Sequence, residues 1–165
     1  MSYQIREAKL IDADAISDCI RESFKHYIPL IGKEPEPMIL DYADVVRERS
    51  AFVLADGSGI VGAIVLADGN GVFMWLDILG VRTEYQKNGY GKKLIEFGES
   101  VMLKRGATES RLYTNVKFEE TIAIYKHLGY EEYDRKVERG YDRVFLRKAL
   151  IADTRHKRLI HGGKK

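Results

Sequence analysis

The stretch Leu76-Asp77-Ile78-Leu79-Gly80-Val81-Arg82-Thr83-Glu84-Tyr85-Gln86-Lys87-Asn88-Gly89-Tyr90-Gly91-Lys92-Lys93-Leu94-Ile95 reads as a buried strand, a short polar turn and a glycine-punctuated entry into a helix. The strand half is apolar on both faces and too short to cross a bilayer. In the helix half, Leu94, Ile95, Val101 and Met102 recur at roughly helical spacing. Between the halves, Gly89 and Gly91 let the backbone turn tightly and leave amide N–H groups uncovered. Uncovered amides at a helix start carry partial positive charge and suit a phosphate or pyrophosphate. Lys87, Lys92 and Lys93 add full charges to the same turn.

Two well-known phosphate motifs do not fit. A P-loop needs Ser or Thr after Gly-Lys to hold Mg²⁺, and here Gly91-Lys92 is followed by Lys93. The run Gly89-Tyr90-Gly91-Lys92-Lys93-Leu94 lacks the third glycine of a dinucleotide fingerprint. On these residues alone the turn is either an anion cradle or an ordinary strand-to-helix connection.

Composition bounds the answer. The chain has 165 residues, which predicts one domain with a real core. Its formal net charge of +2 is too weak to point to nucleic acid. The single cysteine, Cys19, excludes an intramolecular disulfide and suits a reducing compartment, so a cytoplasmic location is expected. Met1-Ser2-Tyr3-Gln4-Ile5-Arg6-Glu7 has neither the basic start nor the apolar run of a signal peptide. No apolar stretch approaches the roughly 20 residues of a membrane helix, so no membrane association is expected. No repeat, low-complexity tract or Cys/His cluster with metal spacing occurs.

Taken in order, the pattern predicts a strand near residues 3–8 and a helix capped by Asp12 that stops near Pro29. A Gly/Pro loop at 31–37 and a second helix at 37–48 follow. Strands at 51–55 and 60–67 flank Asp56-Gly57-Ser58-Gly59, a hairpin signal. A long strand at 72–81, a helix at 90–105, a strand at 111–114 and a helix at 119–128 stopped by Gly129 come next. A closing hairpin runs over 130–137 and 143–147. This predicts a mixed α/β domain over residues 1–150 with one sheet, and a basic tail over 151–165. The strands ending at Val81 and Thr114, joined by a helical crossover, should be parallel neighbours. Ligands of open α/β sheets sit beyond the carboxyl ends of such strands, where the glycine turn lies.

Four features together resemble the GNAT N-acetyltransferases. They are Leu79-Gly80-Val81, the loop Gln86-Lys87-Asn88-Gly89-Tyr90-Gly91, Asn115 after the next strand, and the helix Thr121-Ile122-Ala123-Ile124-Tyr125-Lys126-His127-Leu128-Gly129-Tyr130. The loop is similar to the family's Gln/Arg-x-x-Gly-x-Gly/Ala, and the helix departs from the family pattern only mildly, at Thr121 and Tyr130. The resemblance covers most of residues 1–150 and implies the GNAT fold, a central mixed sheet with splayed parallel fourth and fifth strands flanked by helices. It also implies transfer of acetyl from acetyl-CoA to a primary amine of a small molecule or protein, by direct attack on the thioester.

The resemblance further implies roles for individual residues. Leu79, Gly80 and Val81 would bind the pantetheine arm as a substitute strand, with the Val81 amide stabilising the developing oxyanion. Gln86, Lys87, Asn88, Gly89, Tyr90, Gly91 and Lys92 would hold the pyrophosphate, and Asn115 would touch the arm. Tyr125 would protonate the leaving thiolate; the competing reading is a core tyrosine packing its ring. Asp77 is the sharpest candidate base, since strand parity puts it on one face with Trp75 and Leu79, where desolvation would raise its pKa. The plainer readings are a bulge that turns it to solvent or a pairing with a nearby Arg or Lys. Some relatives carry Glu two positions earlier, where this chain has Trp75, and a relay through water is common in the family. His26 and His127 are weaker candidates. Phe24 and Tyr27 fall where the acceptor wall is expected, though both could be core.

The family also implies a homodimer through the C-terminal strands. Two readings from other classes remain. One is a non-catalytic acyl-CoA sensor on the same fold, which Tyr125 argues against. The other is nucleic-acid binding through the basic tail, which nothing in the core supports.

Overall fold

The computed structural model describes residues 2–151, so the basic tail lies, beyond Ile151, outside the described residues. Among the described residues, seven strands form one sheet: β1 (Gln4–Glu7), β2 (Ser50–Asp56), β3 (Gly59–Asp68), β4 (Phe73–Val81), β5 (Glu109–Asn115), β6 (Glu131–Glu138) and β7 (Tyr141–Ala149). Their spatial order is β1-β2-β3-β4-β5-β7-β6. Every pairing is antiparallel except β4–β5, which is parallel as the helical crossover demands.

The helices are α1 (Ala13–Phe24), α2 (Ile28–Ile31), α3 (Tyr42–Glu48), α4 (Tyr90–Lys104) and α5 (Glu119–His127). One apolar layer joins Ile16 and Ile20 of α1 and Val45 of α3 to Val53, Val65 and Ile78. The other joins Leu94, Ile95 and Met102 of α4 to Ile64, Leu66 and Leu112. Both helical layers press close to the sheet at glycines. A Cβ on Gly80 would meet Ile20 Cδ1 at 2.7 Å, and one on Gly98 would meet Ile64 Cδ1 at 2.8 Å.

Several local expectations are corrected. Asp12 does not cap α1 with its side chain; it accepts from the Lys9 amide at 2.8 Å and pairs with Arg6 at 2.8 Å. Pro29 does not end a helix. It sits in the first turn of α2, where its missing N–H costs nothing, and Gly32 at φ 75° ends that turn. The second long helix starts later than expected, at Tyr42, because Asp41 caps it through the amides of Ala43 and Asp44.

The parallel pair is short. β4 and β5 register only at Phe73↔Glu109, Met74↔Ser110 and Trp75↔Arg111. Beyond Trp75 a bulge interrupts β4, since Val65 faces Ile78 while Leu66 faces Leu76. Asp77 is the extra residue. A bulge bends its strand and ends local pairing, so β4 diverges from β5 just where the apolar run reaches Leu79 and Val81.

Candidate active site

Hydrogen-bond parity shows what the divergence exposes. The Arg82 amide donates to the Val61 carbonyl at 2.8 Å, and Gly62 faces Val81 in the register. That combination makes Gly62↔Val81 a non-hydrogen-bonded pair, so the N–H and C=O of Val81 turn away from β3. Alternation gives Leu79, opposite Ile64, the same orientation. On the other wall the Val116 amide donates to Asp142 at 3.0 Å with Asn115 opposite Arg143, which by the same logic turns the backbone of Tyr113 and Asn115 away from β7. Both strands therefore present peptide groups to the gap between them, an edge ready to accept another strand-like chain.

The gap opens into a cleft of about 700 Å³. At one end lies the glycine turn. Gln86 Nε2 donates back to the Val81 carbonyl at 2.9 Å, which ties the turn to the strand. Lys87 at φ 69° and Gly89 at φ 81° both take the left-handed conformation, and Gly89 immediately precedes α4. No atom lies within 4 Å of a Cβ built on Gly91, so the first turn of α4 is open to an approaching group. Gln86, Lys87, Gly89, Gly91 and Lys92 line the cleft. Tyr90 instead buries its ring against Tyr3, at 5.5 Å between centroids, and can offer only its amide. Asn88 is exposed and outside the lining.

Asn115 lines the cleft, and its Oδ1 accepts from the Lys117 amide at 2.9 Å in the turn that leads into α5. Tyr125, one and a half turns into α5, is buried with its ring edge-on to Tyr130 at 5.5 Å. Burial pushes its phenol pKa up, with the neighbouring Tyr27 adding to the shift. Its hydroxyl has no protein partner among the described residues, and no fully buried side-chain oxygen or nitrogen there lacks one. The oxygen therefore keeps its face to the cleft. Phe24 and Tyr27 also line the cleft. Tyr27 is held firmly: it stacks on Phe118 at 3.8 Å and shares a hydrogen bond with Thr121 Oγ1 at 2.7 Å.

Asp77 departs from the parity expectation because of the bulge. Leu79 packs with the α4 layer, whereas Asp77 faces the α1–α3 side with Ile78, opposite Arg49. Arg49 Nη1 donates to Asp77 Oδ2 at 2.5 Å, and the carboxyl is turned inward, with a side-chain exposure of 14%. Desolvation raises its pKa, against the lowering pull of the Arg49 guanidinium. Of the two plainer readings, pairing with an arginine is the one present; a bulge is present too, but it does not turn the carboxyl to solvent. Arg49, Glu36, Tyr113 and Arg143 also line the cleft, and nothing in the sequence singled them out. Glu36 and Arg143 meet at 2.7 Å across 107 positions of chain, a contact that no local pattern reveals. His26 lines the cleft as well, and His127 does not.

Residues 47–132 match the family model of the acetyltransferase (GNAT) domain. The chain belongs to the GNAT acetyltransferase family. Solved structures share its fold. The PaiA N-acetyltransferase of Thermoplasma acidophilum, determined with coenzyme A, is 22% identical with a TM-score of 0.73 over 90% of this chain and 99% of its own. Ard1 of Thermoplasma volcanium is 16% identical with a TM-score of 0.75 over 92% and 100%. A GNAT acetyltransferase of Elizabethkingia anophelis, solved with acetyl-CoA, is 13% identical with a TM-score of 0.69 over 90% and 98%. As a GNAT enzyme the protein takes acetyl-CoA as its acetyl donor. The cleft suits that donor: outward-turned peptide groups, among them the Val81 N–H, for a strand-like arm, an open helix start and two lysines for a pyrophosphate. Among the described residues no group of side chains could hold a metal ion, and no helix is long and apolar enough to cross a membrane.

Proposed function

We propose that this GNAT enzyme acetylates a primary amine by direct attack, with Tyr125, the Val81 amide and Asp77 as the chemical groups. Acetyl-CoA supplies a thioester whose carbonyl carbon accepts the amine. The C–N bond forms as the C–S bond breaks, the nitrogen loses a proton, and the departing sulfur gains one. The Val81 N–H, turned into the gap, would stabilise the negative charge that develops on the carbonyl oxygen. Tyr125 would give its proton to the sulfur. Its raised pKa keeps the phenol protonated throughout the working range, which is the form an acid needs.

Asp77 would receive the amine proton, directly or through water. Its Oδ2 is committed to Arg49, and Oδ1 has no protein partner among the described residues. A carboxyl raised by burial is a better base than an exposed one. The amide-lined start of α4, with Gln86, Lys87, Gly89, Gly91 and Lys92, would hold the pyrophosphate; Leu79, Gly80 and Asn115 would flank the pantetheine arm. For Gly80 the missing side chain also serves the approach of α1.

One observation carries this reading: the unpartnered Tyr125 hydroxyl and the outward-turned Val81 amide share one cleft. A sensor needs the second feature and not the first. The test is a thiol-release screen of acetyl-CoA against a library of primary amines. Thiol release that depends on both the amine and Tyr125 supports transfer; tight acetyl-CoA binding with no release for any amine leaves a sensor. A cytoplasmic location fits the free, buried Cys19. A homodimer through the 130–148 region fits the position of β6 at the sheet edge.

A further inference from the structure

The acceptor end of the cleft is closed by a strap. The segment at 33–36 and the β6–β7 turn come from distant parts of the chain, yet they are bonded to each other. Lys33 Nζ donates to the Gly140 carbonyl at 2.7 Å and lies 4.1 Å from the Tyr141 ring centre. Tyr141 Oη donates to the Glu34 carbonyl at 2.9 Å. Glu36 accepts from Arg139 at 2.9 Å and from Arg143 at 2.7 Å. Arg143 is the buried centre of this group, with a side-chain exposure of 8%, and its second nitrogen pairs with Glu138 at 2.8 Å. Separating such a pair strands a desolvated charge, so the strap resists opening far more than exposed ion pairs do. The turn itself is rigid. Arg139 and Gly140 both have positive φ, as a two-residue hairpin of the favoured twist requires.

The strap is also a wall. Pro35, Glu36 and Pro37 on one side and Arg139, Tyr141 and Arg143 on the other line the same cleft. A peptide strand with its side chains takes up roughly 10 Å face to face. Elements bonded at under 3 Å leave no such passage between them.

The chamber behind the strap has a definite chemistry. Each arginine that lines it is already paired with a carboxylate: Arg49 with Asp77, and Arg139 and Arg143 with Glu36. Among the described residues no unpaired arginine is left at this end to hold an anionic group. Asp77 Oδ1 and the Tyr113 hydroxyl, by contrast, have no protein partner among the described residues. The walls around them are largely apolar, from Phe24, Ile31, Pro35, Pro37 and Leu40, and the one further carboxylate in the lining without an ion pair among the described residues is the exposed Glu120.

We infer that the acceptor is a compact primary amine with one apolar or aromatic body, taken whole into the strapped chamber, and not an amino group carried on a protein chain. This rests on the transferase reading of the same cleft. The strap sets the size limit, and the match of arginines to carboxylates leaves only the amine-seeking oxygens open.

The test compares kcat/KM for phenethylamine and hexylamine with that for spermidine and for two dodecapeptides, one with a free N-terminus and one with an internal lysine. The monoamines should exceed the peptides ~100-fold and spermidine ~10-fold, within the range a shaped apolar pocket can discriminate. Equal or higher values for spermidine or either peptide overturn the inference. The double variant Glu36→Gln, Tyr141→Phe removes both Glu36 ion pairs and the Tyr141–Glu34 hydrogen bond and should raise the peptide-to-monoamine ratio; an unchanged ratio with the fold intact also overturns it.

A second measurement needs no acceptor. Spin labels on Ile39→Cys and Val137→Cys occupy exposed positions flanking the strap, while the native Cys19 is buried. With the doubly labelled protein diluted into an excess of unlabelled protein, so that only distances within one protomer are read, one narrow distance is expected, with and without acetyl-CoA. A broad or two-population distribution in the otherwise unaltered protein refutes a closed strap. If no amine releases thiol although calorimetry shows acetyl-CoA bound, the transferase reading falls, and the spin-label distance still decides the strap.

Discussion

Replacing Tyr125 with phenylalanine removes one hydroxyl from a site where it has no protein partner among the described residues. No hydrogen bond is lost on folding, and the ring keeps its edge contact with Tyr130. Stability should therefore change by no more than about 1 kcal/mol. Acetyl-CoA affinity should also hold, since the turn proposed to hold the pyrophosphate lies on other elements. The rate should not hold. Loss of a general acid typically costs ~10²–10⁴, or ~3–5 kcal/mol of barrier. The structure argues for the lower part of that range. Burial raises the phenol pKa above its ordinary 10, so full transfer to a thiolate of pKa ~8.5 runs uphill by at least ~2 kcal/mol. The same apolar cleft raises the pKa of the departing thiolate too, which narrows the mismatch as the bond breaks. A 10²–10³-fold loss in kcat is the expected outcome, on the order of 3–4 kcal/mol, with an equal loss in kcat/KM because the interaction is made only in the transition state. A thioester with a more acidic leaving thiol should recover part of the loss. The assay is thiol release under single-turnover conditions, so that chemistry and product release are separated. Equal single-turnover rates for the two proteins would refute the acid role and leave the Val81 amide as the main catalytic group.

Other substitutions probe the remaining parts of the site. Gly91→Trp places a ring where the helix start is open, and acetyl-CoA affinity by calorimetry should fall at least ~10-fold with the melting temperature little changed; unchanged affinity removes this turn from the site. Arg49→Met removes the guanidinium that opposes desolvation at Asp77, so the acidic limb of the kcat/KM profile should move to higher pH, while Asp77→Asn should abolish that limb. Burial raises the pKa of Tyr42, Tyr125 and Tyr130; each favours the folded state while protonated, so stability should be full below about pH 10 and fall as pH rises beyond it, measured by urea unfolding across the alkaline range. Light scattering at micromolar concentration should show a dimer, and Val137→Glu in the edge strand β6 should shift it to monomer; a wild-type monomer refutes the pairing.

The layout of the sheet was legible because its signals are local. Alternation, the Asp-Gly hairpin and the glycine before α4 each fix one turn or one strand, and most observed boundaries fall within two residues of the pattern. The helix around Tyr125 was legible for a similar reason: Gly129, at φ 102°, stops it by turning the Tyr130 amide back to the Tyr125 carbonyl at 3.0 Å. The acceptor end was not legible. Arg49 looks like any residue between a helix and a strand until the bulge turns Asp77 towards it. The strap depends on pairs more than 100 positions apart, which no window of sequence contains. Strand parity placed Asp77 opposite to Ile78, and a single inserted residue reversed that.

That inserted residue links the two halves of the site. Without a bulge, β4 could continue beside β5 past Trp75, and the peptide groups of Leu79 and Val81 would be spent on the ladder. With it, the strand bends and those groups face the cleft on the donor side. The same kink sends the Asp77 carboxyl to the opposite face of the sheet, towards Arg49 and Tyr113, on the acceptor side. One backbone irregularity thus sets the proposed oxyanion donor and the candidate base on either side of the place where, in the proposed mechanism, the amine meets the thioester. Restoring regular pairing would move both at once. This is why the bulge, although it contributes no side chain of its own beyond Asp77, is the feature on which the proposed chemistry of the cleft depends.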